Sequence, residues 1–258
     1  MAATIPLYQF QVASVIGLLG IYIGWRGGMI RLRGFYDGPN ATKHLMFGLV
    51  IGVVSGYMLD ILMVQPMVIR GGFLFEEGLF IAFVIGLAQS LLILLLLTRK
   101  GVLALRSSPT SGWALGLGIG AMQSVSLGVR ILDSGFPSSV SGFGAPGILL
   151  CAGFAAVLPW LQAIISSGQG AGIVDQRRWK PLFVATGCRA MLFVVIVFGM
   201  TYPPLILVLI PLVVLGQGRA DRDWLPAALL PTALQEYRRV RSLHARSNRN
   251  NIILSEEE

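Results

Sequence analysis

From Gly78 to Thr98 the chain carries no charged side chain, and most of this run is large and apolar. About 20 such residues in an α-helix cross the ~30 Å hydrocarbon core of a bilayer. Inside lipid, only a segment that satisfies its own backbone N–H and C=O groups is viable, so the run is read as a membrane helix. Six further runs follow the same pattern: Tyr8 to Trp25, His44 to Val68, Gly112 to Val129, Gly147 to Ser166, Pro181 to Met200, and one ending near Gly216. The expected fold is all-α, a polytopic integral membrane protein of about seven transmembrane helices. Composition agrees. Charged residues make up 12% of the 258-residue chain and hydrophobic ones 55%, where a soluble domain carries roughly 25% charged residues.

The net charge of +8 does not indicate nucleic acid, because the basic residues are placed as topology signals. The connections after spans one, three and five hold four (Arg26, Arg31, Arg33, Lys43), three (Arg99, Lys100, Arg106) and three (Arg177, Arg178, Lys180), and the tail holds seven. Only Arg70 and Arg130 fall on the other side, with Arg189 inside a span. That asymmetry predicts an outside N-terminus and a cytoplasmic C-terminus in a plasma (cytoplasmic-type) membrane. Residues 1–25 lack Lys and Arg, so the first run is expected to stay as a membrane helix rather than act as a cleaved signal.

The chain divides into a transmembrane domain, residues 1–218, and a cytoplasmic remainder, residues 219–258. In the latter, Leu230, Leu234, Tyr237 and Val240 share a face at helical spacing beside Arg238, Arg239 and Arg241. This predicts a basic amphipathic helix on the membrane surface, with the bilayer and its anionic headgroups as partners. A membrane-protein partner or a second copy of the chain is the other expected association. The last residues, from Ser247, read as a disordered tail.

Gly48, Gly52 and Gly56 recur every fourth residue in span two, as do Gly112, Gly116 and Gly120 in span four. Small residues at this spacing let helix backbones approach closely. Asp60 continues the span-two stripe. A short carboxylate cannot snorkel to water, and a charge at mid-membrane costs about 2.5–3.5 kcal/mol, so a cation, water or a proton must compensate it. Arg189 is expected to snorkel to the interface, Gln89 and Gln123 to join helices, and Arg130 and Asp133 to cap span four or pair locally. Cys151 and Cys188 fall at different depths and are read as small buried hydrophobes rather than a disulfide. Two histidines, His44 and His244, supply no Cys/His cluster, so neither metal nor cofactor is expected.

Glu76 and Glu77 open span three, where carboxylates complement the helix dipole. Together with Asp60, Arg70, Arg130 and Asp133 they would line an outer polar vestibule. The Glu-Glu pair resembles that of the CAAX-processing and PrsW-type intramembrane proteases. Those families place a basic residue shortly after the pair, where this chain has Phe80 and Ile81. Their second acidic position maps near Gln123, and they require intramembrane histidines. The seven-span layout with a glycine-rich fourth helix also resembles prolipoprotein diacylglyceryl transferase, whose His-Gly-Gly and Gly-Arg-x-Gly-Asn signatures are missing. Neither family is assigned.

Three functions follow. The first is a non-enzymatic one: a small transporter or membrane-complex subunit with a polar site at Asp60, Glu77 and Arg130. The second is an intramembrane hydrolase or transferase using Glu76 or Glu77 as base. The third is a scaffold that recruits a partner through its C-terminal helix.

Overall fold

Asp37 caps the second helix by accepting a hydrogen bond from the Asn40 N–H at 3.2 Å. Pro39 lies in that helix's first turn, where its missing N–H costs nothing. The helix therefore starts at Gly38, six residues before the expected His44. The computed structural model describes residues 6–72, 75–240 and 242–243. Among the described residues it is all-helical, with seven helices long and apolar enough to cross a membrane. These are α1 (Leu7–Gly28), α2 (Gly38–Arg70), α3 (Phe75–Leu97), α4 (Ser108–Ile131), α5 (Ala145–Val174), α6 (Trp179–Thr201) and α7 (Pro203–Ala228). Residues 231–240 form a further helix, α8.

The most apolar helix is not the most buried one. In α3, only 33% of the apolar stretch is buried inside the protein, against 83% in α4, the least apolar of the seven. Lipid solvates large apolar side chains as well as protein does, so the central helix is marked by small residues instead. The glycines show how close the backbones come. A Cβ on Gly48 or Gly52 of α2 would sit 2.2 Å from the Leu115 carbonyl oxygen or 2.7 Å from that of Ile119, both in α4. On α4's other side, a Cβ on Gly116 would lie 2.3 Å from the Gln162 carbonyl oxygen and one on Gly120 2.4 Å from the Pro159 Cα, both in α5. A Cβ on Gly56 would lie 2.5 Å from the Ser126 hydroxyl oxygen. Thus α4 is held between α2, which runs parallel to it, and α5, which runs antiparallel.

Two helices widen just before a proline. The Gln65 N–H bonds the Asp60 carbonyl, closing a π-turn over Asp60–Val64 ahead of Pro66. The Leu225 N–H bonds the Ala220 carbonyl in the same way ahead of Pro226. A proline lacks the N–H that would serve the carbonyl four residues back and its ring crowds that carbonyl; an inserted π-turn relieves both. The first π-turn carries Asp60 and the second Asp221 and Asp223. The second turn lies inside α7, which runs on to Ala228, so the helix crosses the expected boundary at residues 218/219.

Candidate functional site

Three glutamines from three helices meet in the interior. Gln89 (α3) donates to Gln162 Oε1 (α5) at 3.1 Å, and Gln162 donates to Gln123 Oε1 (α4) at 3.1 Å. Gln123 donates to Gln89 Oε1 at 3.3 Å, closing a ring of amides, and also to Ser55 Oγ of α2 at 3.0 Å. All three side chains are buried. The expected role of Gln89 and Gln123 as links between helices describes two members of this ring.

Arg189 of α6 sits against the ring. It is the eleventh residue of a 23-residue helix, and its exposed surface is 0%. Its guanidinium does not snorkel, contrary to the expectation. It turns inward and donates from Nε to Gln162 Oε1 (3.2 Å), from Nη1 to Ser90 Oγ (2.6 Å) and Gln169 Oε1 (3.3 Å), and from Nη2 to Ser166 Oγ (2.8 Å). Gln169 is anchored in turn by donating to the Ser90 carbonyl at 2.8 Å. Snorkelling fails because Arg189 lies midway along the helix, on the face packed against α3 and α5, where polar partners are nearer than water. Because a guanidinium only donates, it also sets the direction of the ring: Gln162 must turn Oε1 toward it.

The partners of Arg189 are all neutral. Among the described residues, the ion pairs are Arg31–Asp221, Arg70–Glu77 and Arg130–Asp60. A charge at this depth costs several kcal/mol when it is not compensated. Hydrogen bonds from hydroxyls and amides recover part of that, yet they bring no negative charge. The sequence signal for this site is the i, i+4, i+7 spacing of Gln162, Ser166 and Gln169 on α5, which marks a polar face in an apolar helix. The fifth span runs past its expected end at Ser166: α5 continues to Val174 and turns this face inward.

Asp60 has the cationic partner its environment demands. Arg130 donates to both carboxylate oxygens, Nε to Oδ1 at 2.7 Å and Nη2 to Oδ2 at 2.6 Å, and Gln65 adds a third bond to Oδ2 at 3.1 Å. One expectation is corrected: Arg130 does not pair locally but reaches across 70 residues of sequence. Asp60 lies level with the last turn of α4, which ends at Ile131. Arg130, but not Asp60, lines a cavity of about 300 Å³ together with Gln65, Asp133 and Phe136.

Glu76 and Glu77 stand apart from this arrangement. Both are exposed, and Glu77 accepts two hydrogen bonds from Arg70 at 2.5 and 3.4 Å. The expected six-residue vestibule is divided: Arg70 and Glu77 line a cleft of about 20 Å³ with Met63 and Met67, while Arg130 and Asp133 line the separate cavity above. Asp133 instead caps its own turn, accepting from the Gly135 N–H at 2.9 Å. Cys151 is buried, but Cys188 is exposed on α6, contrary to expectation, and both thiols are free. Among the described residues no group of His, Cys, Asp and Glu is arranged to hold a metal ion. The face expected on α8 is split: Tyr237 is buried and stacks edge-on with Phe35 at 5.6 Å, while Leu230 is exposed. Arg238 and Arg239 are exposed, and Arg241 lies outside the described residues.

The fold and its interior define an integral multi-pass membrane protein with an arginine–amide core. Comparison of the chain with protein-family models, with curated proteins and with solved structures yields no match.

Proposed function

We propose that the protein is a membrane transporter for a small anionic solute and that Arg189 is the group that pairs with it. One observation carries this reading: a cation buried at mid-helix that bonds only neutral side chains. An ionisable residue in a membrane interior marks a solute or ion pathway more often than a packing role, since a leucine there is cheaper. The anion supplies the missing charge, and the Ser90, Ser166 and amide donors supply the hydrogen bonds it loses on leaving water.

In this reading the described state is closed, with the core side chains satisfying one another until a solute replaces some of those bonds. The Asp60–Arg130 pair, beside the π-turn of α2, closes the end of the bundle nearest the 300 Å³ cavity. The distribution of Lys and Arg supports an outside N-terminus and a cytoplasmic C-terminus in a plasma membrane. A hydrolase centred on Glu76 or Glu77 has less support, because neither carboxylate is bonded to the buried core.

Proteoliposomes test the proposal. Purified protein should accelerate the entry of at least one of chloride, nitrate, acetate or phosphate over protein-free vesicles, and Arg189→Met should abolish that entry while still inserting. Entry of every one of these anions at the protein-free rate would overturn it.

A further inference from the structure

Arg106 and Gln176 are the two non-glycine residues with positive φ among the described residues, at +50° and +60°. Arg106 follows the short helix Lys100–Ala104 and Gln176 follows α5, each at the position where glycine is the usual choice. The Ser107 N–H bonds the Val102 carbonyl at 3.1 Å and the Arg106 N–H bonds that of Leu103 at 3.1 Å. The Arg177 N–H likewise bonds the Gly172 carbonyl at 2.8 Å, and the Gln176 N–H that of Ile173 at 3.0 Å. Both are Schellman endings, in which the left-handed residue is glycine because any Cβ is disfavoured there.

A helix ending alone would therefore favour glycine at both places. Instead the chain carries two long hydrogen-bonding side chains, and both line the same cavity. That cavity has a volume of about 480 Å³ and is also lined by Arg178, Ser108, Leu103 and Ile173. Among the described residues no carboxylate lines it. Neither Arg106 nor Arg178 has an ionic or hydrogen-bonding side-chain partner among the described residues. Ser108, by contrast, is occupied, donating to the Leu97 carbonyl at 3.2 Å.

We infer that this cavity binds a phosphate group, held by Arg106 and Arg178 with Gln176 as an additional donor. Guanidinium forks match phosphate oxygens in geometry and charge. The volume exceeds that of a bare phosphate, and Leu103 and Ile173 offer apolar contact to whatever the phosphate is attached to. The site is separate from the Arg189 core, and its existence does not depend on transport. A phospholipid headgroup and a soluble phosphate compound share this chemistry.

Full-length protein distinguishes the two sources. Native mass spectrometry from nanodiscs of phosphatidylcholine with and without phosphatidic acid or phosphatidylglycerol reads the lipid arm. Calorimetry with inorganic phosphate and glycerol 3-phosphate reads the soluble arm. Saturable binding of one ligand per protein is expected in at least one arm, weakened about tenfold or more by Arg106→Gly and by Arg178→Ala. Arg106→Gly should meanwhile leave the melting temperature unchanged or raise it, so lost binding cannot be attributed to lost folding. Absence of saturable binding in both arms, or unaltered affinity in both variants, would overturn the inference.

Discussion

Asp60 and Arg130 meet through two parallel hydrogen bonds of 2.7 and 2.6 Å, joining the widened turn of α2 to the last turn of α4. The same two helices are joined at their other ends, where Asn40 donates to Ser107 at 2.9 Å and Ser111 at 3.2 Å. Between these clamps run the glycines that bring the backbones together. Removing either charge leaves the other partly buried; the side chains of Asp60 and Arg130 are 12% and 29% exposed. Asp60→Ala and Arg130→Ala should each destabilise the protein by about 2 kcal/mol. The double variant should lose less than the two together, with a coupling of about 1–2 kcal/mol read from unfolding in detergent. Simple additivity would deny the pair.

The glycine contacts predict a contrast. Gly116→Val places a side chain into the α5 backbone, with the Cβ alone 2.3 Å from the Gln162 carbonyl oxygen. Helix separation is the only relief, and the expected loss is about 3 kcal/mol or more. Gly153 and Gly187 have no atom within 4 Å of the Cβ position. Gly153→Ala and Gly187→Ala should raise stability by up to about 1 kcal/mol, the helix propensity difference. Thermal unfolding of the three variants orders them; a tolerated Gly116→Val would contradict the described packing of α4 on α5.

Arg189→Met should fold. The substitution removes a charge and leaves no carboxylate unpaired, so only hydroxyls and amides lose a donor. The expected cost is below about 2 kcal/mol. A loss above about 4 kcal/mol in the same unfolding assay would mean that the guanidinium is needed to hold the helices together, and would remove the case for a solute role.

Glu76→Gln and Glu77→Gln should leave the melting temperature and the proteoliposome flux unchanged. Both carboxylates are exposed, and the Arg70–Glu77 pair is open to water, where such pairs contribute little. Loss of function in either variant would restore the glutamate pair as the working site.

The seven helices were legible because the bilayer forces each span to be long, apolar and self-satisfied in hydrogen bonds. The glycine spacing in α2 and α4 was equally plain, since it is a local pattern on one helix face. What pairs with what was not. Asp60 showed the need for a cation, but Arg130 looked like a local cap because its reach to α2 depends on how two parallel helices are aligned. Arg189 differs from its expectation for a related reason: its distance along α6 allows snorkelling, while its direction depends on α3 and α5. The helix starts shift where polar residues, such as Asp37 to Asn40, begin a helix. The polar face on α5 stands in the sequence as Gln162, Ser166 and Gln169, but averaged hydropathy hides it in a 30-residue apolar helix.

In the proposed transport cycle the arginine–amide core opens to water. Ser166, whose hydroxyl lies 2.8 Å from Arg189 Nη2, has no exposed surface in the described state. With Cys151→Ala and Cys188→Ala removing the native thiols, Ser166→Cys can be treated in proteoliposomes with a water-soluble anionic methanethiosulfonate. Ser166→Cys should be modified, and the transported anion should slow the modification. A thiol that stays unmodified while the protein conducts its solute would contradict it.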